Sequence, residues 1–300
     1  MPCYHPTYLY RSRHGVNAKT GKVPLVGYNK SDKKGGSIPV GCNRCAGCLL
    51  ERSRQWAVRC EKEIQLNENN CFITLTIDDD HMVYGGAEHG ILVPRDFTLF
   101  LKRLRKQYGS GIRFFGCGEY GTKSNRPHYH ALIFGFDFPD KVYHSTKNGN
   151  ILYHSDSLNN LWRNGNCLIG AATFESAAYV ARYILKKRYG ERSKYYTQEG
   201  VTPEFIRMSR RPGIGSKWFD KYKSDVFPHD YVITRIGIKT KPPKYFSLLY
   251  EKTNPSEMEA IKLIRQTLAD KNWQNNEPNR LRIRERVKKS QIKTLTRNLD

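Results

Sequence analysis

The run Arg126-Pro127-His128-Tyr129-His130-Ala131-Leu132-Ile133-Phe134-Gly135 sets two histidines, two residues apart, at the head of an apolar stretch. The stretch reads as a β-strand. Side chains alternate faces along a strand, so His128 and His130 share a face, with backbones roughly 6–7 Å apart. Two imidazoles placed this way can share one divalent cation. Further on, Ala178-Tyr179-Val180-Ala181-Arg182-Tyr183-Ile184-Leu185-Lys186-Lys187 reads as a helix, with Tyr179 and Tyr183 one turn apart on one face. A histidine pair for a metal beside a tyrosine pair for nucleophiles suggests metal-assisted transesterification of a phosphodiester.

Two histidines leave a metal site incomplete. Glu119 ends the preceding strand, and a short turn (121–125) leads into the histidine strand, so antiparallel pairing brings its carboxylate beside the imidazoles. Two histidines and a carboxylate with open positions suit Mg2+ or Mn2+ at a phosphodiester, and equally a redox iron. Taken alone, the histidines read as well as two exposed residues of a sheet face. The tyrosines also have a second reading as core, because Val180, Ile184 and Leu185 on the same helix are core positions. Lys186 and Lys187, one turn beyond Tyr183, argue for chemistry: a nearby ammonium favours phenolate and can hold a phosphate.

Cys42-x2-Cys45-x2-Cys48 is a separate cluster. Three thiolates at this spacing can hold one structural Zn2+, with Cys3 or His5 as the fourth ligand. An iron–sulfur cluster uses similar spacing, but nothing else in the chain indicates redox chemistry. The alternative is three reduced cysteines at a helix start. Cys60, Cys71, Cys117 and Cys167 sit in apolar patterns and read as core. Asp78-Asp79-Asp80-His81 reads as a strand end and cap rather than a second acidic site.

The elements that must position these residues follow from periodicity. A long helical pattern covers 45–66, with Leu49, Trp56, Cys60 and Ile64 inward. Residues 71–77 form a strand and 95–107 an amphipathic helix striped by Phe97, Phe100, Leu101 and Leu104. Strands at 112–118 and 127–136, a short helix at 157–162, a strand at 167–173 and the tyrosine helix complete the order. This is an α+β fold: a mainly antiparallel central sheet with helices on one side. Three regions are expected: an N-terminal segment with the zinc site and long helix (1–67), a catalytic domain (68–200) and a basic, largely helical C-terminal region (201–300). The 255–271 stretch reads as a helix. The 280–300 tail, with eight Lys/Arg, reads as a helix or as a segment that orders on its partner.

Charge names the partner class. With 51 Lys+Arg against 28 Asp+Glu, the net charge is +23, which makes sense facing a polyanion, above all nucleic acid. The 19 tyrosines offer surfaces for unstacked bases. No 18-residue apolar run and no signal-peptide start is present, so a reducing cytoplasm and no membrane partner are expected. Eight cysteines fit that setting as thiols and metal ligands better than as disulfides.

Phe72-Ile73-Thr74-Leu75-Thr76, Pro127-His128-Tyr129-His130 and Tyr179-x3-Tyr183 together resemble the three motifs of the HUH endonucleases that initiate rolling-circle replication. More narrowly, they resemble the replication initiators of microviruses, the gokushovirus-like branch in particular. The cysteine cluster followed by Arg54-Gln55-Trp56-Ala57, and the loop Arg210-Arg211-Pro212-Gly213-Ile214-Gly215, are similar to that branch too. The resemblance covers roughly residues 42–220. It implies an HUH/RRM-like core with the first motif strand beside the histidine strand, and a divalent ion on His128, His130 and Glu119. It also implies a tyrosine attacking origin DNA to leave a free 3′-OH and a 5′-phosphotyrosine, with the second tyrosine acting after one round. Single-stranded and origin DNA, and a host helicase and polymerase, are the implied partners, in the host bacterial cytoplasm. A relaxase or transposase would share this chemistry, but here the tyrosines follow the histidines in the chain. From another class, a noncatalytic zinc-stabilised single-stranded DNA-binding protein is the alternative.

Overall fold

The computed structural model describes residues 3–18, 21–86, 89–121, 124–182, 194–235 and 237–294. They fall into two compact units, Met1–Glu51 with Asp270–Leu295, and Arg52–Ala269. In chain order the elements begin with β1 (Thr7–Arg11), β2 (Leu25–Val26), β3 (Ile38–Val40), α1 (Ala46–Ile64), β4 (Asn70–Thr76), α2 (Pro94–Tyr108), β5 (Arg113–Tyr120) and β6 (Pro127–Phe134). The middle of the chain forms β7 (Val142–Lys147), β8 (Asn150–His154), α3 (Asp156–Trp162), β9 (Cys167–Ala171), α4 (Phe174–Arg182), α5 (Lys194–Gln198) and β10 (Phe205–Met208). The rest comprises α6 (Ser216–Val226), β11 (Val232–Ile233), β12 (Lys239–Thr240), α7 (Lys244–Thr253), α8 (Pro255–Lys271) and α9 (Pro278–Lys293). No described helix is long and apolar enough to cross a membrane.

The second unit is built on a sheet of seven described strands in the order β10-β5-β6-β4-β9-β8-β7, antiparallel throughout. The histidine strand β6 lies between β5 and β4, as the resemblance implies. Alternation then sorts the side chains. Ile73 and Leu75 of β4 and Tyr129, Ala131 and Ile133 of β6 face Phe97, Phe100, Leu101 and Leu104 of α2 and Leu158, Leu161 and Trp162 of α3. Phe72, Phe115, Cys117, Leu132 and Phe134 turn the other way, onto Ala57 and Cys60 of α1 and Ala177, Val180 and Ala181 of α4. The expectation of helices on one side is therefore corrected: both faces are covered. The adjacent strands β5, β6 and β4 each offer apolar residues to both faces, and each set needs a cover.

Two glycines in β5 show how close the cover lies. A Cβ at Gly116 would stand 2.7 Å from the Phe97 ring, and one at Gly118 would stand 2.6 Å from that of Phe205. The strand bearing Glu119 thus sits where it does because it offers no side chain at those positions.

Helix α1 is buried on more than its predicted stripe. Val58 packs with Trp218 and Phe219 of α6, Phe246 and Tyr250 of α7, and Met258 and Ile261 of α8. Glu61, Lys62 and Glu63 are buried with it. Each is held by at least one hydrogen bond, with Glu61 Oε2 reaching only Lys62 Nζ at 3.8 Å. Glu61 accepts from Arg235 N (2.5 Å), Lys62 Nζ donates to Ile233 O (2.7 Å), and Glu63 accepts from Arg113 Nε (2.5 Å) and Gly215 N (2.6 Å).

The first unit carries the small sheet β2-β1-β3 and helix α9. The basic tail is helical from Pro278 to Lys293, which settles its two expected states for the described part.

Candidate active site

Strand register assembles the site. Opposite His128 stand Glu119 on β5 and Thr76 on β4; opposite His130 stand Cys117 and Thr74. The two imidazoles lie parallel, 3° between planes, with centroids 6.3 Å apart. His130 Nε2 is 3.1 Å from Glu119 Oε1, and its Nδ1 is 3.1 Å from Thr74 Oγ1. Both members of the His130–Glu119 pair are nearly sealed from solvent, at 6% and 3% exposure.

His128 is oriented from the other side. Its Nδ1 lies 2.6 Å from the Arg126 carbonyl, which can only accept, so the proton of the neutral ring sits on Nδ1 and Nε2 keeps its lone pair. Arg126 is itself fixed, its guanidinium donating to Ile77 O (2.7 Å) and pairing with Asp79 (2.8 Å). Burial, and then the neighbouring His130, hold the His128 imidazole below its ordinary pKa, which favours the neutral, ligating form near pH 7. Asp78 accepts from the backbone N–H of His81 (3.0 Å), the capping role read from the sequence.

The donor set suits a divalent cation. A carboxylate facing a ring nitrogen in a buried site needs a positive centre between them, either a proton on Nε2 or a metal ion. When Nδ1–H donates to Thr74, Nε2 offers its lone pair, to a metal ion or to a proton carried by the carboxyl. The structure brings Glu119 and His130 together and leaves His128 further out: among the described residues the cysteines form the one ligand group drawn within 4.8 Å.

Tyr179 reaches the same face from α4. Its ring stands edge-on to His130, with centroids 5.2 Å apart and planes at 89°, and also edge-on to Phe72 at 6.2 Å. The helix is aimed by a reciprocal cap just before it: Ser176 N donates to Thr173 Oγ1 (3.1 Å) and Thr173 N to Ser176 Oγ (2.8 Å). Tyr183, Lys186 and Lys187 lie outside the described residues.

Sequence reasoning gave no site role to Thr74 and Arg126. The alternation of β4 that points Ile73 and Leu75 away also points Thr74 at the histidines, a signal available in the sequence. Arg126 acts through its carbonyl, which no residue type announces. A basic cleft of about 460 Å³ also went unassigned; Arg105, Arg113, Arg210, Arg211 and Lys217 line it. Arg113 and Glu119 share a face of β5 six residues apart, so the cleft lies roughly 20 Å along the strand from Glu119.

The family model for replication-associated protein ORF2/G2P matches residues 70–188, a span that opens with β4 and includes every proposed catalytic and divalent-ion residue. Replication-associated protein ORF2 of Spiroplasma virus 4 is 37% identical over 267 residues, 84% of this chain and 81% of the relative. The chain belongs to the phage replication-associated proteins. Replication-associated protein VP4 of Bdellovibrio phage phiMH2K is 33% identical over 86% of this chain and 79% of its own length. Replication-associated protein ORF4 of Chlamydia phage 1 is 34% identical over 50% of this chain and 39% of its own. No solved structure matches. Membership gives this replication-associated protein its place in the initiation of phage replication.

The same protein gathers a second ligand set. Cys3, Cys42, Cys45 and Cys48 place their sulfurs within 4.8 Å of one another, all as free thiols. Burial raises the Cys42 thiol, but hydrogen bonds from the backbone N–H groups of Arg44 and Cys45 and from the Cys45 and Cys3 thiols outweigh it and bring the pKa down to about 7, while burial pushes the Cys3 and Cys48 thiols up. His5, the other expected fourth ligand, instead pairs with Glu285 at 2.8 Å.

Proposed function

We propose that this replication-associated protein nicks and rejoins DNA at the phage origin through a 5′-phosphotyrosine. The observation that carries the reading is the contact of Tyr179 with His130, whose Nε2 meets buried Glu119 on the next strand. His128, His130 and Glu119 would hold Mg2+ or Mn2+, which when bound supplies Lewis-acid neutralisation of the non-bridging oxygens of the scissile phosphate. Thr74 and the Arg126 carbonyl hold the two imidazoles in place.

The phenol oxygen of Tyr179 or Tyr183 attacks phosphorus. A tyrosine O–P bond forms, the P–O3′ bond breaks, the phenol loses its proton and the departing 3′ oxygen gains one. Lys186 or Lys187 favours the phenolate and holds the phosphate. The free 3′-OH serves a host polymerase, with a host helicase opening the duplex. Phosphotyrosine conserves the energy of the phosphodiester, so attack by a 3′-OH reseals the strand without ATP. A second tyrosine allows a second cleavage while the first still holds its end. The scissile strand enters unpaired, which suits a basic, tyrosine-rich surface. A noncatalytic single-strand binder has no use for a carboxylate and an imidazole sealed against each other.

The test is incubation with a single-stranded origin oligonucleotide and Mn2+, followed by a denaturing gel. A covalent protein–DNA band is expected. A salt-sensitive mobility shift with no covalent band would leave only the binder.

A further inference from the structure

The first unit holds a sulfur cluster and a basic helix for which the nicking chemistry has no use. In a tetrahedral zinc tetrathiolate, with Zn–S near 2.3 Å, neighbouring sulfurs lie about 3.8 Å apart. The Cys3 and Cys45 sulfurs are 3.9 Å apart here, and all four lie within 4.8 Å. Backbone N–H groups point at the sulfurs: Cys42 N at Cys3 (3.3 Å), Cys45 N at Cys42 (3.3 Å) and Tyr4 N at Cys45 (3.4 Å).

Helix α9 cannot stand without support. Only Leu281 of its 16 residues is buried, its seven Lys/Arg, set against one Glu, repel one another, and helices in proteins draw most of their stability from packing. Its seat is the segment next to Cys3. His5 Nε2 meets Glu285 Oε2 at 2.8 Å, and Tyr4 lines a groove of about 370 Å³ with Arg280, Ile283, Arg284 and Val287. Arg280, Arg284 and Lys288 recur every fourth residue and so form a basic stripe along the helix.

We propose that Cys3, Cys42, Cys45 and Cys48 hold one Zn2+ as a tetrathiolate, and that this ion fixes the Cys3-Tyr4-His5 segment on which α9 is seated. The basic helix, whose charges suit DNA phosphates, is then ordered only with the metal.

The test uses the full chain, purified without added metal. Elemental analysis is expected to find one zinc per chain, and less than about a tenth of that in Cys3→Ser and Cys48→Ser. Because those variants can fail to fold, the wild type is also stripped with a chelator. Tryptic cleavage within 280–293 should then accelerate at least tenfold and slow again when Zn2+ is restored. Co2+ in place of zinc should give the visible absorption of a tetrahedral thiolate site. Iron in the purified protein, no bound metal, or full zinc retained by a folded Cys3→Ser would overturn the site. Cleavage of α9 at the same rate with and without zinc would overturn its seating.

Discussion

Strand β6 serves two faces, and each face presents a buried tyrosine. On one face Tyr129 stacks on Phe97, at 5.9 Å and 1° between planes, while its hydroxyl accepts from Val93 N (2.9 Å) and donates to Val93 O (3.0 Å). Burial pushes that phenol well above its ordinary pKa, so its proton stays. On the other face Tyr179 is 9% exposed, and it stands against an imidazole paired with a carboxylate. Burial does not distinguish the two tyrosines; the groups around each ring do, and they are what the proposed nucleophilic role of Tyr179 rests on.

The largest expected break in that comparison is Tyr179→Phe with Tyr183→Phe. Covalent adduct should fall by a thousandfold or more, roughly the scale of losing a nucleophile, while DNA affinity persists. Each single Phe variant should keep one cleavage and lose efficient circle closure, read on denaturing gels. If Tyr179→Phe closes circles like wild type, Tyr179 belongs with Tyr129 as core.

Next come His130→Ala, His128→Ala and Glu119→Gln. Nicking should drop by about 10²–10⁴-fold at unchanged DNA affinity, because these groups act on the transition state and not on the strand path. Near-normal cleavage by His128→Ala in Mn2+ would remove the metal assignment. On the opposite face the order of effects reverses. Leu75→Ala should cost about 2–5 kcal/mol of stability by urea unfolding, with nicking per folded molecule unchanged.

The smallest effects belong to the basic periphery. Arg210→Ala with Arg211→Ala, or truncation after Asn279, should lower the salt slope of single-strand binding by about 0.7 for each phosphate no longer neutralised. An unchanged slope would place those charges away from the DNA.

The His128–His130–Glu119 register was legible because strand alternation and a short turn fix it locally, and the α2 stripe of Phe97, Phe100, Leu101 and Leu104 is buried as read. What the sequence hid was non-local. The β7–β8 hairpin has mostly exposed residues on both faces, so no alternation marks it. β10 joins the sheet by pairing with β5 across a long stretch of chain. Burial of Glu61, Lys62 and Glu63 depends on partners as far along as Arg235, and charged residues in a helix ordinarily read as its wet side. Cys3 and His5 were equal candidates for the fourth position in sequence; the fold places the Cys3 sulfur beside the other three and His5 on Glu285.

The central claim is tested most directly by mapping the covalent adduct. Arg182 lies between the two tyrosines, so trypsin separates a peptide 164–182 bearing Tyr179 from a peptide 183–186 bearing Tyr183. After reaction with origin oligonucleotide, mass spectrometry should find the nucleotide on one or both of these peptides in wild type. In the single Phe variants it should be found on the remaining tyrosine alone. Adduct on any other peptide, or cleaved DNA carrying a free 5′ phosphate and no adduct, would contradict the phosphotyrosine mechanism on the histidine face.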